Sequence, residues 1–543
     1  MAGIADFLDS LIGGFDLICY SLLMGGLFWG LFVLRPWQHD KAYNSHLLDK
    51  TIALIYKGGF LLAAAQIFKI ILKVWLMTAV LERWPFPEFA STTQFIGGII
   101  RAVLTLLVTA YVYFVLRKHT FSKQHWWIAF AVSIPMVISG AWLVHAAGRF
   151  DNRAFLMTFT VFHQLGAAAW VGGVLQLGNV WKLHKQQLIS SNNWPQLLKA
   201  FSTFGVISVG FILVSGLPIA LQYIDTLNAL VGTGYGNLLM VKVVLLGLAL
   251  GFAWLNRSAM LEFFANRQNV AVFKKVPHYV EAETLVLITL LFTAASLASQ
   301  PPAIDIPLLT ASWQEVANTF HPQIPQISSP SHVALIAGEA GRVAIINQVP
   351  SLAATEWSNY NHNIAGIFLT VMSFFAMLSY TTKLPFTKYW PLGFVGLGIF
   401  LFFRSDAETW PLGPIGFWES TFNNGEVLQH RIATLLVFVL GLFELTARIT
   451  KNPTSKLPYF FPILSAFGGL MLLTHSHVGF QAKSAFLIQV GHTSMGIFAL
   501  ILSCGRWLEL KLDKPGKDIA GFISVAALFV IGIILMFYRE PLY

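Results

Sequence analysis

Long apolar stretches separated by shorter polar ones dominate the pattern of residues along the chain. About 20 consecutive apolar residues are needed to cross a bilayer as an α-helix. Fourteen stretches approach or exceed that length: residues 11–34, 52–81, 95–116, 126–147, 155–181, 200–223, 237–255, 281–299, 362–381, 389–403, 429–447, 458–474, 486–505 and 519–538. The pattern predicts an all-α, polytopic integral membrane helical bundle of about 14 transmembrane helices. The stretch at 389–403 is short for a span.

The composition indicates the same class of protein. Of the 543 residues, 56% are hydrophobic and only 11% are charged, whereas a soluble domain has about 25% charged residues. A soluble enzyme, a disordered scaffold and a secreted disulfide-rich protein are therefore excluded. The two cysteines, Cys19 and Cys504, lie in apolar stretches outside any CxxC pattern, so neither covalently attached haem nor a thiolate metal cage is expected. The first ten residues are acidic and lack a basic segment, so no cleavable signal peptide is expected.

The positive charges are unevenly distributed between the loops. The net charge of +10 is by itself compatible with a nucleic-acid partner, with anionic lipid or with membrane topology. Loops after odd-numbered spans hold about 22 Lys and Arg residues, and loops after even-numbered spans hold about 7. Because Lys and Arg concentrate on the cytoplasmic side, both termini are predicted to be extracytoplasmic. The charge then reflects topology in a lipid bilayer, and no nucleic-acid partner is expected.

Two long loops divide the chain. Residues 301–361, rich in Pro, Ser and Ala, are predicted to form an extracytoplasmic loop. This loop separates a predicted eight-helix membrane domain (1–300) from a predicted six-helix membrane domain (362–543). The second loop, 404–428, is also predicted to be outside and is rich in aromatic residues. Loops of this length more often have a functional role than not.

Five histidines of the C-terminal half are predicted to meet at one depth on the outer side of the membrane. His362 and His430 begin spans nine and eleven, and His492 lies inside span thirteen. His475 and His477 end span twelve, and residues two apart face one ligand only if the helix ends there and the chain becomes extended. Imidazole binds copper, zinc, iron and nickel, and side chains converging from several helices build metal sites in bundles. The sequence therefore predicts an outer-face histidine cluster that binds metal.

A second group of candidate functional residues lies in the N-terminal half. His163 is about eight residues inside span five, where an ionisable side chain is costly and indicates function. His145 ends span four and is separated from His163 by a short outer loop. Met157, six residues before His163, offers a thioether that suits Cu(I). His145 and His163 are therefore candidate functional residues, and Met157 is a candidate soft ligand near them.

Several motifs of the N-terminal half occur in a specific order. They are VHAAG at 144–148, FHQLGAAAWVGG at 162–173, FS at 201–202, SG at 215–216, GTGYGNLL at 232–239 followed by Lys242, NR at 256–257, VEAE at 280–283 and SQPP at 299–302. In this order they resemble the copper-resistance protein D (CopD) family over about residues 1–305. One departure is that Leu143 and Val144 precede His145, where the family has a small polar residue and a glycine.

The resemblance implies a bacterial inner-membrane protein that handles copper, often together with a periplasmic CopC-type copper carrier. Copper would pass inward from the periplasm, and His145 and His163 would contact it. No run of alternating strands is present, so a fused CopC-like β-domain is not expected. The C-terminal half looks like an extension that some longer CopD proteins carry, and its assignment rests on its histidines.

The sequence thus predicts a copper-binding inner-membrane protein that takes up copper, or hands it over, from the periplasm toward the membrane and cytoplasm. Neither a GxxxxGK[ST] nor an HExxH motif occurs, and the chain is predicted not to be an enzyme. Two alternatives stay open. In one, pairs among the C-terminal histidines bind b-type haem for electron transfer. In the other, the chain is a non-transporting subunit that presents copper to a partner enzyme.

Overall fold

A computed structural model describes residues 2–34, 41–266, 270–339, 350–381, 384–450, 454–474 and 482–541. These residues form α-helices joined by short helical turns and loops, and no β-sheet is formed within them. The α-helices are α1 (Ala2–Tyr20), α2 (Gly26–Phe28), α3 (Lys41–Leu81), α4 (Phe86–Ala90), α5 (Thr93–Phe114), α6 (Lys123–Ala141), α7 (Arg153–Lys185), α8 (Asn193–Tyr223), α9 (Leu227–Gly232), α10 (Gly234–Ala265), α11 (Ala271–Lys274), α12 (Val276–Ser299), α13 (Trp313–Thr319), α14 (His332–Glu339), α15 (Leu352–Thr381), α16 (Leu392–Arg404), α17 (Phe417–Asn423), α18 (Gly425–Thr450), α19 (Phe460–Thr474), α20 (Ala482–Lys511) and α21 (Gly516–Met536). The predicted all-α fold class is confirmed.

Thirteen helical segments of the described residues are long and apolar enough to cross a membrane, one fewer than the fourteen predicted. They are Phe7–Leu34, Ser45–Thr78, Thr93–Lys118, Arg153–Lys185, Asn193–Tyr223, Gly234–Ala265, Val276–Asp305, Leu352–Tyr380, Pro385–Arg404, Gly425–Thr450, Leu457–Thr474, Lys483–Lys511 and Gly516–Met536. The missing span is the one predicted at 126–147. There the chain forms the 19-residue α6, which contains Pro135 and ends at Ala141. Polar residues at the start of α6 and along its length lower its mean hydropathy.

Two predicted span boundaries differ at the candidate histidines. Helix α15 begins at Leu352, so His362 lies in its third turn rather than at its start. The turns of α15 that precede His362 make polar contacts that a hydropathy pattern does not detect. Trp357 donates from Nε1 to the Arg404 carbonyl at 3.0 Å, and Asn361 donates to the same carbonyl at 2.7 Å. The second boundary that differs is the end of α6. This helix ends before His145, which begins a 3₁₀ turn (His145–Gly148).

The described residues group into two compact units. One comprises residues 1–8, 226–244 and 300–543, and the other comprises residues 9–225 and 245–299. In the first, α15 and α20 both pack against α21, and α19 packs on α20. In the second, α7 packs on α8, and α3 packs on α5. The domain boundaries predicted at 300 and 361 stay a prediction.

Helix α13 shows how local sequence fixes the long loop between α12 and α15. Ser312 caps α13 by accepting from the Glu315 N–H at 3.2 Å, and Glu315 accepts in return from the Ser312 N–H at 2.8 Å. This reciprocal pair is a capping box. Glu315 also pairs with Lys483 at 2.5 Å, and that hydrogen bond, with those from Ser312, lowers the pKa of Glu315 to about 2. The loop is therefore anchored to the start of α20.

Candidate metal centre

A cavity of about 880 Å³ lies within the unit that contains residues 300–543. Helices α15, α16, α18, α19, α20 and α21 all contribute side chains to its wall. The wall is mostly apolar, and three of the candidate histidines line it, each from a different helix: His362 on α15, His430 on α18 and His492 on α20. The structure therefore places residues separated by up to 130 positions on one cavity wall.

Two imidazoles of the described residues, those of His362 and His492, lie close together in this cavity. Their ring centres are 6.0 Å apart and their planes are inclined by 83°. In each, Nδ1 lies 2.9 Å from the backbone carbonyl four residues earlier, that of Ser358 or Ile488. Since a carbonyl can only accept, the proton of each neutral ring is on Nδ1 and the lone pair is on Nε2. This is the tautomer in which an imidazole binds a metal through Nε2.

The third imidazole is oriented by a carboxylate. Nδ1 of His430 lies 2.8 Å from Oδ1 of Asp406, in the loop that follows α16. A ring N–H that donates to a carboxylate is the usual support of a metal-binding histidine. His430 therefore has the same tautomer preference as the other two rings.

The end of the chain forms part of the cavity wall beside His362. The Tyr538 ring lies against the His362 ring, with centres 4.1 Å apart. Glu540 accepts from the Ser358 hydroxyl at 2.6 Å and from the Tyr538 hydroxyl at 3.1 Å. Asn363 donates to the Tyr538 carbonyl at 2.9 Å. These bonds hold the 538–540 segment onto α15, next to the Ser358 carbonyl that orients His362.

The cavity wall carries negative charge. Five carboxylate side chains line it: Asp406, Glu408, Glu419, Glu426 and Glu540. Among the described residues that line it there is no Lys or Arg. The field of such a wall attracts cations and opposes anions.

Two thioethers also line the cavity, those of Met471 and Met495. Met495 is three residues after His492 on α20 and is 3% exposed, so the two side chains share one helix face. The sequence analysis missed Met495, Tyr538 and Glu540. Only Met495 had a signal in the sequence, its helical spacing from His492.

The N-terminal candidates lie in the other unit. Nδ1 of His163 on α7 lies 3.1 Å from the Ile212 carbonyl and 3.2 Å from the Ser215 hydroxyl of α8. His145 is near Tyr223, with ring centres 6.3 Å apart, and its Nε2 is buried without a hydrogen-bond partner among the described residues. Met157 lies on α7, partly buried. The hydrogen bonds and the ring contact given above join His163 and His145 to residues other than each other.

Two candidates, His475 and His477, lie outside the described residues. Within the residues that are described, no three His, Cys, Asp or Glu side chains are arranged as a metal-binding group. The role of all eight predicted ligands as a metal site stays a prediction.

The fold and the cavity define a polytopic helical membrane protein with an anionic, histidine-lined cavity in its C-terminal half. Residues 195–297, from α8 to α12, match the family model described as Copper resistance protein D. The resemblance to that family is confirmed over these residues. His145 and His163 precede the matched region, and the cavity follows it.

One curated relative is the Copper transport protein CutJ of Bacillus subtilis (strain 168). It is 29% identical to this chain over 226 residues, which are 40% of this chain and 39% of the relative. The match thus spans about two fifths of the relative's length. No solved structure matches the chain. The two matches indicate a copper-related membrane protein.

Proposed function

We propose that this protein binds copper at the outer side of a bacterial inner membrane and passes it toward the membrane and cytoplasm. The similarity to Copper resistance protein D and to a copper transport protein supports copper as the cargo. The observation that carries the proposal in this chain is the cavity lined by His362, His430 and His492. Each of these rings has its Nδ1 at a hydrogen-bond acceptor, which favours metal binding through Nε2.

The charge of the cavity favours copper over haem b. Haem carries two propionate groups, which need cationic or hydrogen-bonding partners when they are buried. Five carboxylates and no Lys or Arg are found among the described lining residues. This wall would repel propionates and attract a copper cation. The proposal therefore takes a metal ion, rather than haem, as the occupant.

The role that follows is transport or transfer without chemical conversion of the cargo. Uptake would begin at the outer face, where a periplasmic CopC-type carrier would deliver copper. His145 and His163 of the N-terminal half would take part in onward movement, since His163 lies on a membrane-spanning helix and the Nε2 of His145 is buried without a partner in the described part of the chain.

The test is the metal and haem content of the purified full chain. Wild type is compared with the triple variant His362→Ala, His430→Ala, His492→Ala and with His163→Ala. His321→Ala, at an exposed histidine of the long loop, is the matched control. We expect copper in wild type and in the control, loss of the cavity copper in the triple variant, and reduced copper in His163→Ala with normal membrane insertion. A Soret band in wild type, or full copper in the triple variant, would contradict the proposal.

A cellular measurement separates transport from presentation to a partner enzyme. Deletion of the gene should lower cytoplasmic copper if the protein moves copper inward. Unchanged cytoplasmic copper, together with copper bound to the purified protein, would favour the non-transporting copper-presenting subunit instead.

A further inference from the structure

The C-terminal cavity extends far past its histidines, toward the end of the helices that is predicted to be cytoplasmic. Its lining residues run from His430 to Leu440 on α18 and from Ala485 to Leu502 on α20. At 1.5 Å per residue, the lined part of α20 is roughly 25 Å long, which is most of the hydrocarbon thickness of a bilayer. The cavity therefore has the depth of a transport route rather than that of a surface site.

An ion pair lies one helical turn beyond the inner end of this cavity. Glu444 is four residues after Leu440 on α18, and Arg506 is four residues after Leu502 on α20. Nη2 of Arg506 lies 2.9 Å from Oε1 of Glu444. Both side chains are buried, with exposed fractions of 0% for Glu444 and 8% for Arg506. The pair thus joins α18 to α20 directly beneath the apolar floor of the cavity.

Further bonds extend the pair into a network across three helices. Oε1 of Glu444 also lies 2.7 Å from Nε of Arg448. On the other side, Nη1 of Arg506 lies 2.7 Å from Oε2 of Glu509. Tyr380, near the end of α15, donates from its hydroxyl to Oε1 of Glu509 at 2.8 Å. These five residues form the inner network, and they connect α15, α18 and α20.

Two other helices pack closely at the same end. A Cβ on Gly521 of α21 would lie 2.6 Å from the Tyr380 ring and 2.8 Å from the carboxyl carbon of Glu509. A Cβ on Gly441 of α18 would lie 2.8 Å from Cβ of Phe394 on α16. Because the helices approach this closely, a cation that leaves the cavity at its inner end has to separate them.

The charges of the inner network suit a closed barrier. Arg448 and Arg506 oppose the approach of a cation, while their pairing with carboxylates holds the helix ends together. Buried ion pairs are weak evidence for stability, because desolvation offsets much of the attraction. Ionisable residues inside membrane spans instead often mark pathways. Packed helix ends that are joined by such bonds can change between discrete arrangements rather than deform continuously.

We propose that the C-terminal half contains a route for the cargo cation, and that the inner network is the closed gate at its cytoplasmic end. This inference rests on the proposed function and adds the place where the cation leaves the cavity. The cation enters among the histidines and carboxylates of the outer end. The Glu444–Arg506 pair then has to separate before the cation can pass inward.

The first experiment measures access to the cavity from the cytoplasmic face and uses no copper. The reporter is Ser465→Cys, a buried position on α19 that lines the cavity, in a chain whose two native cysteines are replaced by alanine. A membrane-impermeant thiol reagent is added to inside-out vesicles. We expect slow labelling with the network intact, and labelling at least about tenfold faster with Glu444→Gln and Arg506→Gln together, because the accessible arrangement becomes more populated. Exchanging both residues avoids leaving one buried charge alone.

The matched control is Lys514→Cys, at an exposed position beyond α20. It should be labelled at the same rate with and without the two substitutions. Equal rates for Ser465→Cys in the two backgrounds would overturn the gate.

The second experiment compares one folded variant with itself. Tyr380→Cys and Glu509→Cys, in the same cysteine-free chain, are crosslinked with a short bifunctional thiol reagent after reconstitution into liposomes. We expect crosslinking to lower copper uptake at least about tenfold and to leave copper binding unchanged, because it holds α15 and α20 in the closed arrangement. The reagent should have no effect on the variant with Tyr380→Cys alone. Undiminished uptake after complete crosslinking would overturn the inference.

The results also separate this inference from the proposed function. Copper binding and uptake that crosslinking does not change would contradict the gate and leave the proposed function standing. Wild type that binds copper but takes none up would contradict the route while copper binding stands. Wild type that binds no copper would contradict the proposed function, and the labelling rates would still decide whether the network closes the cavity.

Discussion

At the scale of single residues, each described imidazole of the cavity has its Nδ1 at a hydrogen-bond acceptor, an arrangement that favours metal binding through Nε2. The three acceptors are the Ser358 carbonyl, the Asp406 carboxylate and the Ile488 carbonyl. An imidazole without such an acceptor can change tautomer and turn, which weakens its use as a ligand. The wall of the cavity is therefore more than a set of histidines at one depth, because each ring has a defined donor side and a defined lone-pair side.

Glu540 is predicted to act through this arrangement rather than by touching the ion. It accepts from the Ser358 hydroxyl, and the Ser358 carbonyl orients His362. Glu540→Gln keeps the shape and removes the charge, and we expect the copper affinity of the purified chain to fall by about tenfold while its thermal stability changes little. Competition with a copper chelator measures the affinity, and thermal unfolding measures the stability.

The control for this substitution is Glu419→Gln, which removes another cavity carboxylate. We expect it to leave the affinity within about twofold of wild type, since Glu419 is exposed and its charge is screened by solvent. Equal losses in the two variants would mean that only the overall charge of the cavity matters, and that Glu540 does not position His362.

At the scale of helices, close backbone contacts decide which elements can pack. The first membrane span contains a π-helical segment, Ser21–Gly25, that packs on α7. A Cβ on Gly172 would lie 2.2 Å from the Ser21 carbonyl oxygen, and one on Gly25 would lie 2.2 Å from the Ala168 carbonyl oxygen. Small residues at such a crossing let two membrane helices approach closely. This contact gives a physical reason for one glycine of the AAAWVGG motif.

Gly172→Ala is predicted to destabilise the protein by about 1–3 kcal/mol, because the added methyl group must push two backbones apart. The matched control on the same helix is Gly178→Ala, where an added Cβ has no heavy atom within 4 Å. We expect this control to be neutral or to stabilise by up to about 1 kcal/mol through better helix propensity. The midpoint of thermal unfolding in detergent compares the two, and equal midpoints would contradict the close-contact argument.

At the scale of the whole molecule, charge sorting predicts which loops face the cytoplasm. The loops predicted to be outside hold few Lys and Arg residues, and the C-terminal cavity carries five carboxylates in its wall. A copper cation arriving from outside would meet little positive charge before it reaches the histidines. The basic loops on the other side would hold the protein in that orientation.

This topology is testable with single introduced cysteines, because the native Cys19 and Cys504 are both buried. Ser328→Cys lies in the predicted outer loop and Lys514→Cys in a predicted cytoplasmic loop, and both positions are exposed. A membrane-impermeant thiol reagent added to intact spheroplasts should label Ser328→Cys and spare Lys514→Cys, and lysis should make both reactive. The reverse pattern would invert the predicted orientation.

The sequence by itself determined the class of the molecule. Hydropathy is a property of consecutive residues, and the thickness of a bilayer sets the length of apolar helix that it requires. The pattern therefore predicted the all-α membrane fold and about the observed number of long apolar helices. The ordered motifs indicated the CopD-like region in the same way, since they too are local. The stretch at 126–147 differs because α6 ends at Ala141 and contains polar residues, which leaves it less apolar than the thirteen long segments.

Only the tertiary structure decided which side chains form the candidate site. His362 and His492 are 130 positions apart, and the Tyr538 ring that lies against His362 comes from the end of the chain. Such distances depend on how α15, α20 and α21 pack, which is a sum of many weak contacts between segments distant in sequence. Helical spacing links only neighbours on one helix, such as His492 and Met495. The sequence pattern could thus indicate candidate histidines, while packing set the distances between their rings and placed the carboxylates around them.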